Sequence, residues 1–137
     1  MNRMLLALTL IINLGALGLA QTGTAQDQVT EAVKIIHGPV VELITDSTAQ
    51  IAWSTNVNAG TLVRYGTDPQ NLNQKASMPW GGLTHRVVLN HLSAGTTYYF
   101  KAESPQGQDT GTHAEADQSS FKTVAQGEPA IRNKQPQ

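Results

Sequence analysis

The chain has 137 residues, enough for one domain and too few for two ordinary ones. It contains no cysteine, which excludes disulfides, thiol catalysis and cysteine zinc sites. The formal net charge of −1 becomes −2 if Arg3 is removed with a leader, and neither value indicates nucleic acid or an anionic membrane as a partner.

The N-terminus has the pattern of a secretory signal peptide. Arg3 precedes an apolar stretch that ends in small residues, and the pattern favours cleavage after Ala20, with Ala25 as the alternative. The other interpretation is an uncleaved membrane anchor, which Asn13 and the short length disfavour. We therefore expect residues 1–20 to be a signal peptide and the mature protein to be secreted or periplasmic, with no membrane contact.

The remaining chain divides into three parts. Residues 21–32 are polar and aperiodic, which predicts a flexible lead-in. Residues 125–137 contain two prolines and one large apolar residue, so we expect a disordered tail that cannot bury enough surface to offset its ordering entropy. Residues 33–124 are predicted to form the single folded domain.

Apolar and polar residues alternate with a period of two in the folded part, which is typical of half-buried strands. The predicted strands are 33–36 with 40–44 (one strand interrupted by Gly38-Pro39), 48–55, 61–65, a weak strand near 72–77, then 85–90, 98–102 and 119–124. Residues 56–60 and 78–82 are predicted connections. Seven short strands at this spacing predict an all-β fold, an antiparallel β-sandwich of two sheets.

The stretch LSAGTTYYF at 92–100 predicts a tyrosine corner. Leu92 would fill the core, Gly95 would permit the bend, and Tyr98 would turn its ring inward and bond its hydroxyl to the backbone just upstream. The predicted core combines this corner with the inward residues of the strands. It consists of Ile51, Trp53, Val63, Tyr65, Val87, Leu89, Leu92, Tyr98, Phe100 and Phe121.

These same residues carry a resemblance to a known family. LSAGTTY at 92–98, with Trp53 upstream and VRYG at 63–66 between them, resembles a fibronectin type III domain with an immunoglobulin-like fold. IAWST at 51–55 and HRVVL at 85–89 make it more similar still to the N-terminal domain of purple acid phosphatases. Ala94 departs from that pattern, where the family usually has proline. The resemblance covers residues 35–124 and implies a non-catalytic domain, because the family's chemistry resides in a separate, larger metallophosphoesterase domain.

The sequence offers no catalytic, cofactor or metal site of its own. The four histidines show no close ligand spacing, and His85 lies on the same face as Val87 and Leu89, at the predicted edge of the core. The Asp109-Thr-Gly111 sequence lies in a polar loop, where a turn is the default interpretation. We therefore expect a protein that is not an enzyme and needs no cofactor.

The candidate ligand contacts are Trp80, Asp109 and His113. A large ring in MPWGG at 78–82 could bind a partner, and the alternative is that it folds back over an open sheet edge. The leading hypothesis is a secreted, monomeric binding or adhesion module for another protein or a polysaccharide. One alternative is a stand-alone purple acid phosphatase N-terminal-like domain that assists a separately encoded phosphatase, and another is a fragment without a function of its own.

Overall fold

The computed structural model describes residues 31–106 and 112–133, and this part of the chain is all β. Its strands are β1 Ile35–Ile44, β2 Ala49–Gly66, β3 Gln74–Leu89, β4 Thr97–Pro105, β5 His113–Glu115, β6 Ser119–Lys122 and β7 Ile131–Arg132. All their pairings are antiparallel, which agrees with the predicted fold class. Within the described ranges there is no helix long and apolar enough to cross a membrane.

The two longest strands, β2 and β3, take part in both layers of the sandwich. The first half of β2, up to Thr55, pairs with β1 and with the end of β3. Its second half, from Leu62, pairs with β4 and with the start of β3. The other edge of β4 is lined by β5 and β6, while β7 pairs with β1. Hydrogen bonding is thus continuous from one layer to the other.

The predicted connections at 56–60 and 78–82 are wrong, because both segments lie inside strands. The register of β2 against β3 shifts on either side of the pair Ala59↔Gly82, so the two strands bend together without separating. A Cβ on Gly81 would lie 2.6 Å from the Ala59 carbonyl oxygen, closer than any real side chain permits. Glycine is therefore required where the strands cross between layers, a segment that we call the crossover (residues 56–61 and 78–84).

The first strand is not interrupted at Gly38-Pro39 as the sequence suggested. β1 continues through this pair with shifts in its register against β2, and it begins at Ile35. Gly38 has a φ of 82°, and a Cβ there would lie 2.8 Å from the Ala52 carbonyl oxygen. The glycine lets the strand bulge and continue.

The tail also differs from expectation over its described part. Ile131 and Arg132 form β7 and pair with Ile44 and Leu43 of β1. The next residue, Asn133, donates from its backbone nitrogen to the Glu42 carbonyl at 3.0 Å. The low apolar content of the tail predicted disorder, because composition indicates only how much apolar surface a segment can bury. This segment is instead held by backbone hydrogen bonds to a sheet edge. Residues 134–137 lie outside the described residues, as do the predicted leader and residues 21–30.

The ten predicted core residues all lie in one buried cluster. Trp53 connects the layers, because its indole nitrogen donates to the buried Ser104 hydroxyl of β4 at 2.8 Å. The rings of Tyr98 and Phe121 stack with centroids 5.8 Å apart. Among the described residues no buried side-chain nitrogen or oxygen lacks a hydrogen-bond partner. The hydrogen-bonding capacity of the buried polar side chains is therefore satisfied within the described part of the protein.

The predicted tyrosine corner is confirmed. The Ser93 backbone nitrogen donates to the Tyr98 hydroxyl oxygen at 2.8 Å, five residues upstream. Gly95 supports the bend with a φ of 59°. The Thr123 hydroxyl closes the corner by donating to the Ser93 carbonyl at 2.6 Å and accepting from the Thr96 backbone nitrogen at 2.8 Å.

Candidate binding surface

An open groove of about 550 Å³ lies at the end of the sandwich where β2 and β3 cross between layers. Its lining comes from the crossover and from the end of β4, and it consists largely of small residues and prolines. The lining residues are Asn58, Ala59, Gly60, Pro79, Gly81, Pro105 and Gln106. Short and rigid side chains leave an apolar surface that loses little conformational freedom when a ligand covers it.

Trp80 stands in sequence between Pro79 and Gly81, which line this groove, but it is not itself a lining residue, and it is 68% exposed. The ring is therefore not folded against a sheet edge, which was the alternative interpretation. It belongs to β3, which pairs only with β2 among the described strands and so has a free edge. Leu83 and Val88 are the other large exposed apolar residues of this strand.

The remaining predicted contacts have different outcomes. His113 is exposed in β5 and pairs in register with Pro105, which lines the groove. It therefore lies on the strand next to a groove residue but does not itself line the groove. The Thr112 hydroxyl donates to the Gln106 side chain at 2.6 Å and so links the residues that follow β4 and precede β5. Asp109 lies outside the described residues.

Beneath the crossover lies a buried histidine whose partners sequence reasoning missed. His85 is 1% exposed and stacks on Trp53 with ring centroids 5.2 Å apart. Its Nε2 lies 2.9 Å from the Thr55 hydroxyl, and its Nδ1 lies 2.8 Å from the Thr61 hydroxyl. The alternation of His85 with Val87 and Leu89 was the available signal for burial, but no local pattern identifies threonines 24 and 30 residues away.

The hydrogen-bond pattern assigns the proton on this ring. The Thr55 hydroxyl donates to the Val57 carbonyl at 2.8 Å, so it can only accept from His85. Nε2 therefore carries the hydrogen, and Nδ1 accepts from Thr61. Burial lowers the pKa of His85 below its ordinary value of 6.5, because a charged ring would lose most of its solvation in the protein interior. The ring is neutral in the folded protein at pH 7.

The outer face of the β1 layer carries a polar cluster. Arg86 binds the Glu42 carboxylate through two nitrogens at 2.7 and 2.9 Å, and Gln50 donates to the same group at 2.6 Å. The Arg86 hydrogen bond holds the pKa of the Glu42 carboxyl below its usual range. A depression of about 160 Å³ lies beside this pair. These groups satisfy one another, so the cluster offers no free charge to a ligand.

Within the described residues, no three histidine, cysteine or carboxylate side chains are placed to hold a metal ion. His37 is exposed on β1, His91 is exposed in a turn with a φ of 59°, and His85 is buried with both nitrogens engaged. What this surface can do chemically is contact a partner through the Trp80 ring and the groove.

Comparison with known proteins identifies a family, and one solved structure shares the fold. Residues 39–123 match the family described as purple acid phosphatase, N-terminal domain. The solution structure of a fibronectin type III domain derived from human KIAA0970 protein superimposes with a TM-score of 0.51 at 19% identity, covering 75% of this chain and 84% of that one. The sensor domain of the anti-sigma factor RsgI4 in Pseudobacteroides cellulosolvens gives a TM-score of 0.41 at 18% identity, with coverages of 63% and 76%. No curated protein matches the chain.

Proposed function

The chain belongs to the purple acid phosphatase N-terminal domain family, and from that premise we propose that it is an exported, non-catalytic binding module whose contact surface is Trp80 and the groove beside it. Its fold is that of a fibronectin type III domain, a β-sandwich that serves as a scaffold for surface contacts. A protein or a polysaccharide is the partner class that suits an open apolar groove and an exposed ring on one of the strands that line it.

One observation carries this proposal, namely that Trp80 is 68% exposed on the free edge strand β3, directly between two residues of the strand that line a ready-formed apolar groove. A tryptophan that is 68% exposed contributes little to the core. It can supply a large rigid contact to a partner, and residues of this kind dominate binding energies at interfaces.

Trp80→Ala is expected to weaken binding without affecting the fold. A central aromatic contact is worth about 2 kcal/mol or more, which corresponds to a loss of affinity of roughly 30-fold. The melting midpoint should stay the same, because the ring is mostly in water before the substitution. The measurement compares the affinities of the wild-type and Trp80→Ala domains for immobilised partners. The partners are cellulose, xylan, chitin, pectin and a metallophosphoesterase chain of the same organism.

Val88→Ala provides the matched control. Val88 is also an exposed apolar residue of β3, at 41%, but it lies in the opposite half of the strand and does not line the groove. Binding that survives Trp80→Ala and is lost in Val88→Ala would place the contact surface elsewhere and contradict the proposal.

The family assignment favours a second candidate for the partner, a separately encoded metallophosphoesterase chain. Members of this family are described as domains of purple acid phosphatases, and an isolated copy could pack against such a chain. In the same experiment, binding to the metallophosphoesterase with none to the four polysaccharides would select this candidate.

Export is a separate part of the proposal and rests on the N-terminal sequence pattern. The mature protein is expected outside the cytoplasm with its first residue at Gln21 or Gln26. N-terminal sequencing of protein recovered from the medium or the periplasm tests this. Recovery of Met1 on most of the exported protein would contradict it.

A further inference from the structure

The buried His85 lies where it can control the crossover of β2 and β3. Of its two hydrogen-bond partners, Thr55 directly precedes the β2 part of this segment and Thr61 is its last residue. Thr55 also donates to Val57 inside the segment. One imidazole ring therefore ties the two halves of β2 together across the bend, from the neighbouring strand β3.

The same crossover forms the floor of the groove. Ala59 and Gly60 of β2 and Pro79 and Gly81 of β3 line it. The backbones of the two strands touch at Gly81 and Ala59, where even a Cβ would not fit. A change in the path of either strand must therefore alter the shape of the groove.

We infer that His85 is an acid-sensitive latch, whose protonation releases the crossover of β2 and β3 and reshapes the groove beside Trp80. In the neutral ring, Nδ1 accepts a hydrogen bond from the Thr61 hydroxyl. A proton added at Nδ1 turns this nitrogen into a donor, so the Thr61 hydroxyl proton loses its acceptor. The ring also acquires a charge against the Trp53 indole, at a position that is buried from solvent.

No group near His85 offsets that charge in the described part of the chain. The side chains that contact it from β2 are Trp53, Thr55 and Thr61, none of which ionises in this range. On β4 the buried residue linked to this site is the uncharged Ser104, whose hydroxyl accepts from the Trp53 ring that stacks on His85.

The nearby ionic groups point outward and are already paired or exposed. Glu103 of β4 binds Arg64 at 2.6 Å, and Arg86 of β3 binds Glu42 at 2.7 Å. His37 of β1 is exposed, as is Lys34, which precedes that strand. The lowered pKa of His85 agrees with this absence of a counter-charge. Protonation therefore takes place below pH 6.5, and it favours conformations in which water reaches the ring.

The lowered pKa of His85 makes the folded domain less stable in acid. The unfolded chain binds the proton more tightly than the folded domain, so the contribution of His85 to stability is intact above pH 6.5 and falls as the pH drops below it. Local opening at the crossover is the smallest rearrangement that relieves this cost. Release of a bound partner in acid would follow from it, and that consequence rests on the proposed function, whereas the latch itself does not.

An NMR titration of the ligand-free domain from pH 8 to pH 4.5 tests the latch independently of any partner. The His85 ring signals are expected to titrate with a midpoint below 6.5, and the amide signals of Gly60 and Gly81 are expected to move with the same midpoint. The His85→Gln variant should lose these glycine shifts. His91→Asn, which alters an exposed histidine in the turn that follows β3, should retain them.

If His85→Gln does not fold, the titration of the wild-type protein is sufficient to test the latch. Glycine signals that stay fixed while the His85 ring titrates would overturn the latch, and so would glycine signals that follow the midpoint of an exposed histidine. Simultaneous loss of all native signals as His85 protonates would also overturn it, because the response would then be global unfolding. Loss of binding in Trp80→Ala at pH 8 tests the proposed function and leaves this result unaffected.

Discussion

Trp53→Ala is expected to lower the free energy of unfolding by about 3–5 kcal/mol, the largest effect of any single substitution considered for this domain. The indole is buried between the two layers and is 3% exposed, so its removal leaves a cavity that neighbouring strands cannot fill. It also removes the donor to the Ser104 hydroxyl and the ring on which His85 stacks. Urea denaturation at pH 7.5, monitored by circular dichroism, measures the change.

The chain contains its own matched control for this substitution. Trp80→Ala removes the same side chain from a site that is 68% exposed, and it should change the free energy of unfolding by no more than about 0.5 kcal/mol. Equal costs for the two variants would mean that Trp53 is not the central residue between the layers.

Tyr98→Phe is expected to cost about 1–3 kcal/mol without changing the fold. The phenylalanine ring keeps the contacts with Phe121, and only the hydroxyl is lost. Its loss leaves the Ser93 backbone nitrogen without its acceptor, in a corner that is partly buried. Denaturant melts of the variant and the wild type, with unchanged far-ultraviolet circular dichroism, give the cost.

Tyr99→Phe is the control for the corner. Tyr99 is the neighbouring residue on β4, lies on the opposite face and forms no side-chain hydrogen bond within the described ranges. Removing its hydroxyl should have little effect on stability. A Tyr98→Phe variant as stable as wild type would show that the corner does not depend on this bond.

The sandwich fold and its core could be predicted because they depend on local, periodic signals. Alternation identified the inward residues Ile51, Val63 and Phe100, and the turn chemistry before Tyr98 identified the corner. These signals follow from the geometry of a pleated strand and from the conformations available to glycine.

The continuation of β2 and β3 through the crossover could not be predicted from such local signals. Small and polar residues at 56–60 suggest a turn, yet here they let two paired strands bend from one layer to the other. The tail presented a related problem, since the pairing of Ile131 with Ile44 depends on backbone groups that every residue carries.

The candidate site was only partly predictable. Trp80 was identified because a large ring among proline and glycine residues was expected on an exposed loop. The structure leaves it exposed but places it in β3. The groove beside it joins Gly60, Pro79 and Pro105, which come from three separated segments. The bonds from His85 to Thr55 and Thr61 are equally non-local, so only the fold brings these residues together.

Phosphomonoesterase activity of the purified domain tests the central claim, that this is a non-catalytic module, most directly. A two-metal phosphatase site needs ions about 3.5–4 Å apart, each held by several ligands, and the described residues contain no group of three suitable side chains. With p-nitrophenyl phosphate and added iron, zinc or manganese, we expect hydrolysis at the rate of buffer and no stoichiometric metal in the dialysed protein. Metal-dependent turnover that disappears in a folded His85→Ala variant would contradict the account.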